Sequence, residues 1–150
     1  MIRALAITVS NRAAAGIYAD RSGPVLAALL AEAGCTVDGP LVVPDGEPVA
    51  AALRDAVTGG YDVVVTTGGT GLTPGDLTPE MTRRVVDREI PGIAEAIRAG
   101  GAAAGIPAAT PAALMASAIP GISRSSTRRV ISGVRSPGVR PVPPVVTTTS

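Results

Sequence analysis

The sequence predicts an α/β domain with three layers, α/β/α, around a mostly parallel central sheet. Three observations lead there. Short apolar runs alternate with segments of helical periodicity through the first hundred residues, the order expected of strands joined by helical crossovers. The chain has 150 residues, the length of one ordinary domain, and a chain of that size buries roughly 70% of its unfolded surface. Hydrophobic residues make up 46% of it, with Phe, Trp and His absent and only Tyr18 and Tyr61 aromatic, so the core must be built from Val, Ile, Leu and Ala. Residues 1–150 are therefore read as a single domain.

The elements follow in order. Ile2 to Val9 is an apolar run ending at Ser10 and reads as a first strand. Pro24, in a position suited to the start of a helix, opens a segment in which Val25, Leu26, Leu29, Leu30 and Ala33 share a face, and Gly34 closes it. Thr36 to Val43 reads as a second strand. The turn Pro44-Asp45-Gly46 leads into a helix from Pro48 to Val57, where Val49, Leu53 and Val57 repeat every four residues. Gly59-Gly60 ends that helix. Tyr61 to Thr67 is β-branched and apolar with a glycine stop, the pattern of a central strand. Another helix is expected at Thr78, with Thr78 as its N-cap, Pro79 as its first residue and Glu80 at the positive end of its dipole.

Composition excludes several kinds of chemistry. Without histidine there is no Ser-His-Asp or Cys-His pair, and Cys35 alone cannot supply a zinc site or an internal disulfide. Cys35 reads as a small buried hydrophobe. All acids lie between Asp20 and Glu95: residues 1–98 hold eight arginines against twelve acids, a net −4, while residues 99–150 hold five arginines and no acid, a net +5. That basic third has no lysine and no interleaved aromatics, too diffuse for a nucleic-acid footprint. The apolar start is too short for a signal peptide. Ala99 to Ser123 passes 25 residues without a charge, but it is mostly Ala and Gly and carries Pro107, Pro111 and Pro120, poor material for a membrane span. The expectation is a soluble, cytoplasmic protein that binds neither nucleic acid nor membrane.

The chemistry is concentrated in Thr66-Thr67-Gly68-Gly69-Thr70-Gly71-Leu72-Thr73-Pro74-Gly75-Asp76-Leu77-Thr78-Pro79-Glu80. Three glycines in four positions let backbone approach a ligand and present N–H groups in a nest, and Thr67 and Thr70 add hydroxyls, an arrangement suited to phosphate. A tight turn at a strand end would use the same residues. The loop is neither a dinucleotide fingerprint nor a P-loop, and no lysine exists in the chain.

As a string, this segment resembles the molybdopterin-binding family of molybdenum cofactor biosynthesis, whose hallmark is Thr-Thr-Gly-Gly-Thr-Gly followed by Asp-x-Thr-Pro-Glu. The likeness extends to Val9-Ser10-Asn11-Arg12-Ala13-Ala14-Ala15-Gly16-Ile17-Tyr18-Ala19-Asp20, to Val43-Pro44-Asp45-Gly46 and to Asp87-Arg88-Glu89-Ile90-Pro91-Gly92, covering residues 1–100. Within the family the adenylyltransferase branch is the most similar; a branch of nicotinamide-nucleotide amidohydrolases shares the glycine loop without the Thr-Pro-Glu pattern. The resemblance implies adenylyl transfer from ATP to the terminal phosphate of molybdopterin, Mg²⁺ as cofactor and a homotrimer. It implies Asp45 and Asp76 as catalytic and metal-holding residues, and Ser10, Asp20, Thr67, Gly68, Gly69, Thr70, Gly71, Thr78 and Glu80 as binding residues. Each also has a plain structural reading: Asp45 as a turn residue, Asp76 as a loop stabiliser, Glu80 as a helix-dipole partner, Asp20 as closing the loop after the first strand. Arg12 and Arg88 face the choice between phosphates and salt bridges. A catalytically silent molybdopterin-binding scaffold is the alternative function.

Two departures stand out. Gly75 occupies a position where relatives often carry Arg. Beyond residue 100 the family blocks stop, with only Ser136-Pro137-Gly138 near the place of a Leu-Pro-Gly-Ser-Pro turn, and seven of fourteen prolines fall in this third. Residues 101–150 are read as an atypical, disordered tail, with Val130-Ile131 and Val145 to Thr149 as short edge strands at most. A change of reading frame near residues 105–115 and natural divergence both account for it. Translating the underlying nucleotides in the other two frames separates them, since only the first leaves a Leu-Pro-Gly block there.

Overall fold

The computed structural model describes residues 1–103 in full and, as backbone strands, 115–118 and 129–134. The elements are β1 Arg3–Val9, α1 Asn11–Ala14, α2 Ser22–Glu32, β2 Thr36–Val43, α3 Glu47–Thr58, β3 Val63–Thr67, α4 Thr78–Arg83, β4 Arg88–Glu89, α5 Pro91–Ala103, β5 Met115–Ala118 and β6 Arg129–Val134. They form one six-stranded sheet in the order β2-β1-β3-β6-β5-β4. β1 pairs in parallel with β2 and with β3, and β3 with β6. β5 is antiparallel to both neighbours, so among the described strands it alone runs against the others. The sheet is mostly parallel, with helices on its faces, as expected.

β1 is buried from Ala4 to Val9 because strands flank it on both edges and helices lie on both faces. Its alternate residues feed two cores. Leu5, Ile7 and Val9 join Val43, Val64 and the α3 residues Val49, Ala52, Leu53 and Ala56 on one face. Ala6 joins Val65 and Leu26 of α2 on the other, with Ala27, Leu30, Val37 and Val63 at the margin. Burying a side chain of the size of Leu53 or Ile7 stabilises the fold by about 1.5–3 kcal/mol each. The predicted apolar face of α2 is only half used: Leu26 is buried, whereas Val25 is 46% exposed and Ala33 is exposed. Cys35, expected to be buried, is only partly so.

The C-terminal third corrects the sequence reading. Val130-Ile131 belongs to an interior strand, β6, with β3 on one side and β5 on the other. Its pairing to β3 runs from Val63↔Arg129 to Thr67↔Val134. Neighbouring backbone on both sides satisfies its N–H and C=O groups, and that outweighs a sequence interrupted by Ser132 and Gly133. The expected edge strand Val145 to Thr149 and most of the segment in which the reading frame is questioned lie outside the described residues. Among the described residues, no helix is long and apolar enough to cross a membrane.

Candidate functional site

Parallel strands end on the same side, so the connections leaving β1, β2 and β3 gather at one carboxyl rim. Three side chains and two glycines meet there. Asp45, just ahead of α3, accepts at Oδ1 from the Gly46 N–H and from the Leu77 N–H, each at 2.9 Å. Its own N–H donates to Asn11 Oδ1 at 2.9 Å. Thr78 donates its hydroxyl to the Gly68 carbonyl at 2.9 Å, and its N–H to the Gly69 carbonyl at 3.0 Å. Asp45 thus ties the end of β2 to the start of α4, and Thr78 ties α4 to the glycine loop.

The two glycines are required. Gly68 has φ +96°, and a Cβ on it would fall 2.1 Å from the Val9 carbonyl oxygen. Gly69 has φ +61°, and its Cβ would lie 2.2 Å from Thr78 Oγ1 and 2.4 Å from Asp45 Oδ2. Among the described residues no donor reaches Asp45 Oδ2, so this oxygen stands open against the loop. Burial pushes the Asp45 carboxyl above its ordinary value; the charges of Asp76 and Glu80 push the same way, and the Leu77 and Gly46 N–H groups pull back.

Asp76 organises the second half of the loop. Its Oδ2 accepts from the Thr73 hydroxyl at 2.6 Å and the Thr73 N–H at 3.0 Å, with the Gly71 N–H facing it as well. The Thr73 hydroxyl and N–H, with that Gly71 N–H, hold its carboxyl below the usual range against a small opposing burial effect. Glu80 lies exposed in the first turn of α4. Thr78 does not cap that helix: it is the first helical residue and is fully buried, because its hydroxyl is spent on the Gly68 carbonyl. Thr67 is buried at 2% exposure, so it contributes backbone to the start of the loop and little side-chain surface. Thr70 is half-buried and Gly71 exposed.

Ser10 and Asp20 are placed differently. Ser10 is the N-cap of α1, its Oγ accepting from the Ala13 N–H at 3.2 Å and lying 3.0 Å from the Tyr18 hydroxyl. The Asp20 carboxylate is fully engaged: Oδ1 accepts from the Ser22 N–H, the Ser22 hydroxyl and the Gly23 N–H, and Oδ2 from the Thr8 hydroxyl at 2.7 Å. Asp20 therefore accepts from the first two backbone N–H groups of α2 and ties that helix to β1, closing the loop after the first strand. Burial alone would raise its carboxyl, but the Gly23 N–H, the Thr8 and Ser22 hydroxyls and the Ser22 N–H outweigh that and hold it low. A depressed carboxylate adds stability that is present above the ordinary carboxylate value and is lost as pH falls through its lowered one. Asp20→Ala is expected to cost about 1–2 kcal/mol at pH 7, the range of a lost helix cap, with a smaller difference near pH 3; denaturant titrations at the two pH values check this.

Arg88 sits on β4, at the edge of the sheet opposite β2 and three strands beyond β3. Arg12 stacks over the Tyr18 ring, 5.1 Å from its centroid, rather than pairing with an acid. Among the described residues, no atom lies within 4 Å of where a Cβ on Gly75 would stand. A cavity of about 530 Å³ opens between α3 and the edge strand β2, walled by Leu5, Pro40, Leu41, Ala52 and Tyr61; none of the candidate residues lines it, and the glycine loop remains the place where chemistry converges. Sequence reasoning missed Asn11, Thr73 and the Leu77 N–H. Asn11 carried a signal, an Asn one residue past the end of a strand, but its partner lies 34 residues away.

Among the described residues, no three acids, cysteines or histidines cluster as a ready metal site. Mg²⁺ is commonly held by one or two carboxylates plus substrate phosphates and water. The open Oδ2 of Asp45, an oxygen ligand beside the glycine loop and within electrostatic reach of Asp76, fits that demand.

Residues 5–137 match the family described as a probable molybdopterin binding domain. The chain belongs to this family. The family match runs past residue 100, so the resemblance is longer than the motifs alone indicate. The chain is 43% identical over 84 residues to the molybdopterin adenylyltransferase of Pyrococcus furiosus, covering 56% of this chain and 50% of that protein. Among solved structures, a molybdopterin biosynthesis protein from Mycobacterium abscessus superposes with TM-score 0.73 at 47% identity, over 89% of this chain and 82% of the other. The tungsten cofactor synthesizing protein MoaB from Pyrococcus furiosus superposes with TM-score 0.75 at 33% identity, over 88% and 81%. The chain spans about a third to a half of the length of the curated relatives it matches. A molybdopterin-binding domain of this kind places the chain in molybdenum cofactor biosynthesis.

Proposed function

We propose that this molybdopterin-binding domain transfers the adenylyl group of ATP to the terminal phosphate of molybdopterin. An oxygen of that phosphate attacks the α-phosphorus of ATP, a new P–O bond forms, and the bond from the α-phosphorus to the bridging oxygen breaks as pyrophosphate leaves with the electron pair. The observation that carries the reading is the pinned Asp45 carboxylate, one oxygen fixed by two N–H groups and the other open against Gly69. Transfer of this kind asks for positioning and charge control rather than a covalent nucleophile, and the absence of histidine and lysine from the chain is compatible with it. The glycine loop presents backbone to a phosphate group; Asp45 and Asp76 would hold Mg²⁺, which when bound supplies the positive charge that neutralises the transferred phosphate.

The test is pyrophosphate release by the purified protein with molybdopterin, Mg²⁺ and ATP. Asp76→Ala, which frees Thr73 and loosens the loop, is expected to slow release about tenfold or more, in line with misplacement of a reacting group. A folded protein that binds molybdopterin and releases no pyrophosphate is instead the catalytically silent scaffold.

A further inference from the structure

We propose that Arg12 binds a substrate phosphate at the rim of the glycine loop, and that Tyr18 holds it ready; the adenylyl-transfer reading is needed only to say which phosphate. The loop and its flanks carry Asp45, Asp76 and Glu80 but no cation of their own, and Asp45 feels both neighbouring charges. A polyanionic phosphate chain beside three carboxylates carries more negative charge than one divalent ion held by Asp45 and Asp76 would offset, so a further cation lowers the cost of binding it. Among the described residues, the ion pairs engage Arg3, Arg54, Arg83 and Arg84. Arg12, Arg21, Arg88 and Arg98 are exposed and have no acidic partner among them; of these, Arg12 adjoins Asn11, the residue that holds the Asp45 N–H.

Its place is defined by contacts on the same rim. Arg12 lies in α1, between Asn11, which holds the Asp45 N–H, and the Tyr18 ring. The ring is itself fixed, because the Tyr18 hydroxyl lies 3.0 Å from Oγ of Ser10. Ser10 follows Val9, whose carbonyl is the surface against which Gly68 packs. β1 and β3 are paired neighbours, so α1, which follows β1, begins one strand from the loop that follows β3. Stacking fixes the plane of a guanidinium and leaves its in-plane N–H donors unspent, the state in which a phosphate costs least ordering to capture.

The experiment measures binding by calorimetry of three probes: tripolyphosphate, glycerol 3-phosphate as a simple phosphomonoester, and adenosine. Arg12→Gln is expected to weaken one or both phosphate probes about tenfold or more, as loss of a charge-assisted contact does, and to leave adenosine and the melting temperature unchanged. Arg12→Lys should recover part of the loss. Tyr18→Leu should weaken the same probe several-fold when Arg12 is present and have no further effect in the Arg12→Gln background, which separates positioning from a general structural role. Loss on tripolyphosphate assigns Arg12 to the nucleotide, and loss on the monoester assigns it to the pterin phosphate. Equal affinity of parent and Arg12→Gln for both phosphate probes overturns the proposal, as does a Tyr18→Leu effect that persists without Arg12. Arg12-dependent phosphate binding in a protein that releases no pyrophosphate sinks the adenylyl-transfer reading and leaves the phosphate site standing.

Discussion

Asp45→Asn is expected to lose about 100-fold or more in pyrophosphate release, the scale of removing one preorganised electrostatic group, while melting no lower than the parent protein at pH 7. The amide oxygen of Asn can still accept the Gly46 and Leu77 N–H groups; what changes is the charge and the open oxygen beside Gly69. The stability side has a definite sign. The folded carboxyl is raised above its ordinary value by burial and by the Asp76 and Glu80 charges, so it holds its proton more tightly in the folded state than in the unfolded one. Its contribution is therefore most favourable at low pH and declines as pH rises through the ordinary carboxylate value toward the raised one. The uncharged Asn escapes that decline, so the variant should gain on the parent between about pH 3 and pH 7. Activity of the parent should rise across the same window as Asp45 ionises. Thermal melts at both ends and a pH profile of pyrophosphate release check the two halves separately; full turnover, or a large fall in melting temperature, would return Asp45 to the role of a turn residue.

Gly68→Ala carries the largest expected loss of stability, about 2–4 kcal/mol, the sum of a residue forced into a disfavoured backbone region and a clash that has nowhere to go. The obstacle is the Val9 carbonyl, 2.1 Å from the built Cβ. Val9 belongs to β1, which is paired on both edges, so relief means moving the most buried strand. Gly75→Ala is the matched control: among the described residues nothing lies within 4 Å of its Cβ, and an exposed substitution of this kind falls within about 0.5 kcal/mol. Urea midpoints at constant slope compare them. Equal midpoints for the two variants would mean that the loop is not packed on β1.

The sequence made the first half of the fold legible because physics writes it plainly there. β1 and β3 are buried on both faces and read as continuous apolar runs, and Gly59-Gly60 and Gly68-Gly69 mark where each element stops. α3 shows its period because Val49 and Leu53 are fully buried. β6 was not legible: Arg129, Ser132 and Gly133 break the apolar run, and the strand exists through pairing with β3 and β5. In the site, the loop and Asp45 were recognisable as a string, whereas the hold of Asn11 on Asp45 depends on two strands lying side by side. Asp20 and Thr78 show the opposite failure. Residue type and position marked both as ligand-facing or capping, and only the hydrogen-bond geometry reveals where their oxygens are spent.

The strand order has a consequence for synthesis. β1, β2 and β3 complete one another as soon as residue 67 is available, but the free edge of β3 receives its partner only from residues 129–134. At roughly 5–20 residues per second, a nascent chain spends on the order of ten seconds with that edge unpaired. During this interval a β-branched strand of Val63, Val64, Val65, Thr66 and Thr67 offers its backbone to any neighbouring chain. Crowded translation should therefore penalise this protein more than its final stability would suggest, and slowing codons placed after residue 67 should lower its soluble yield.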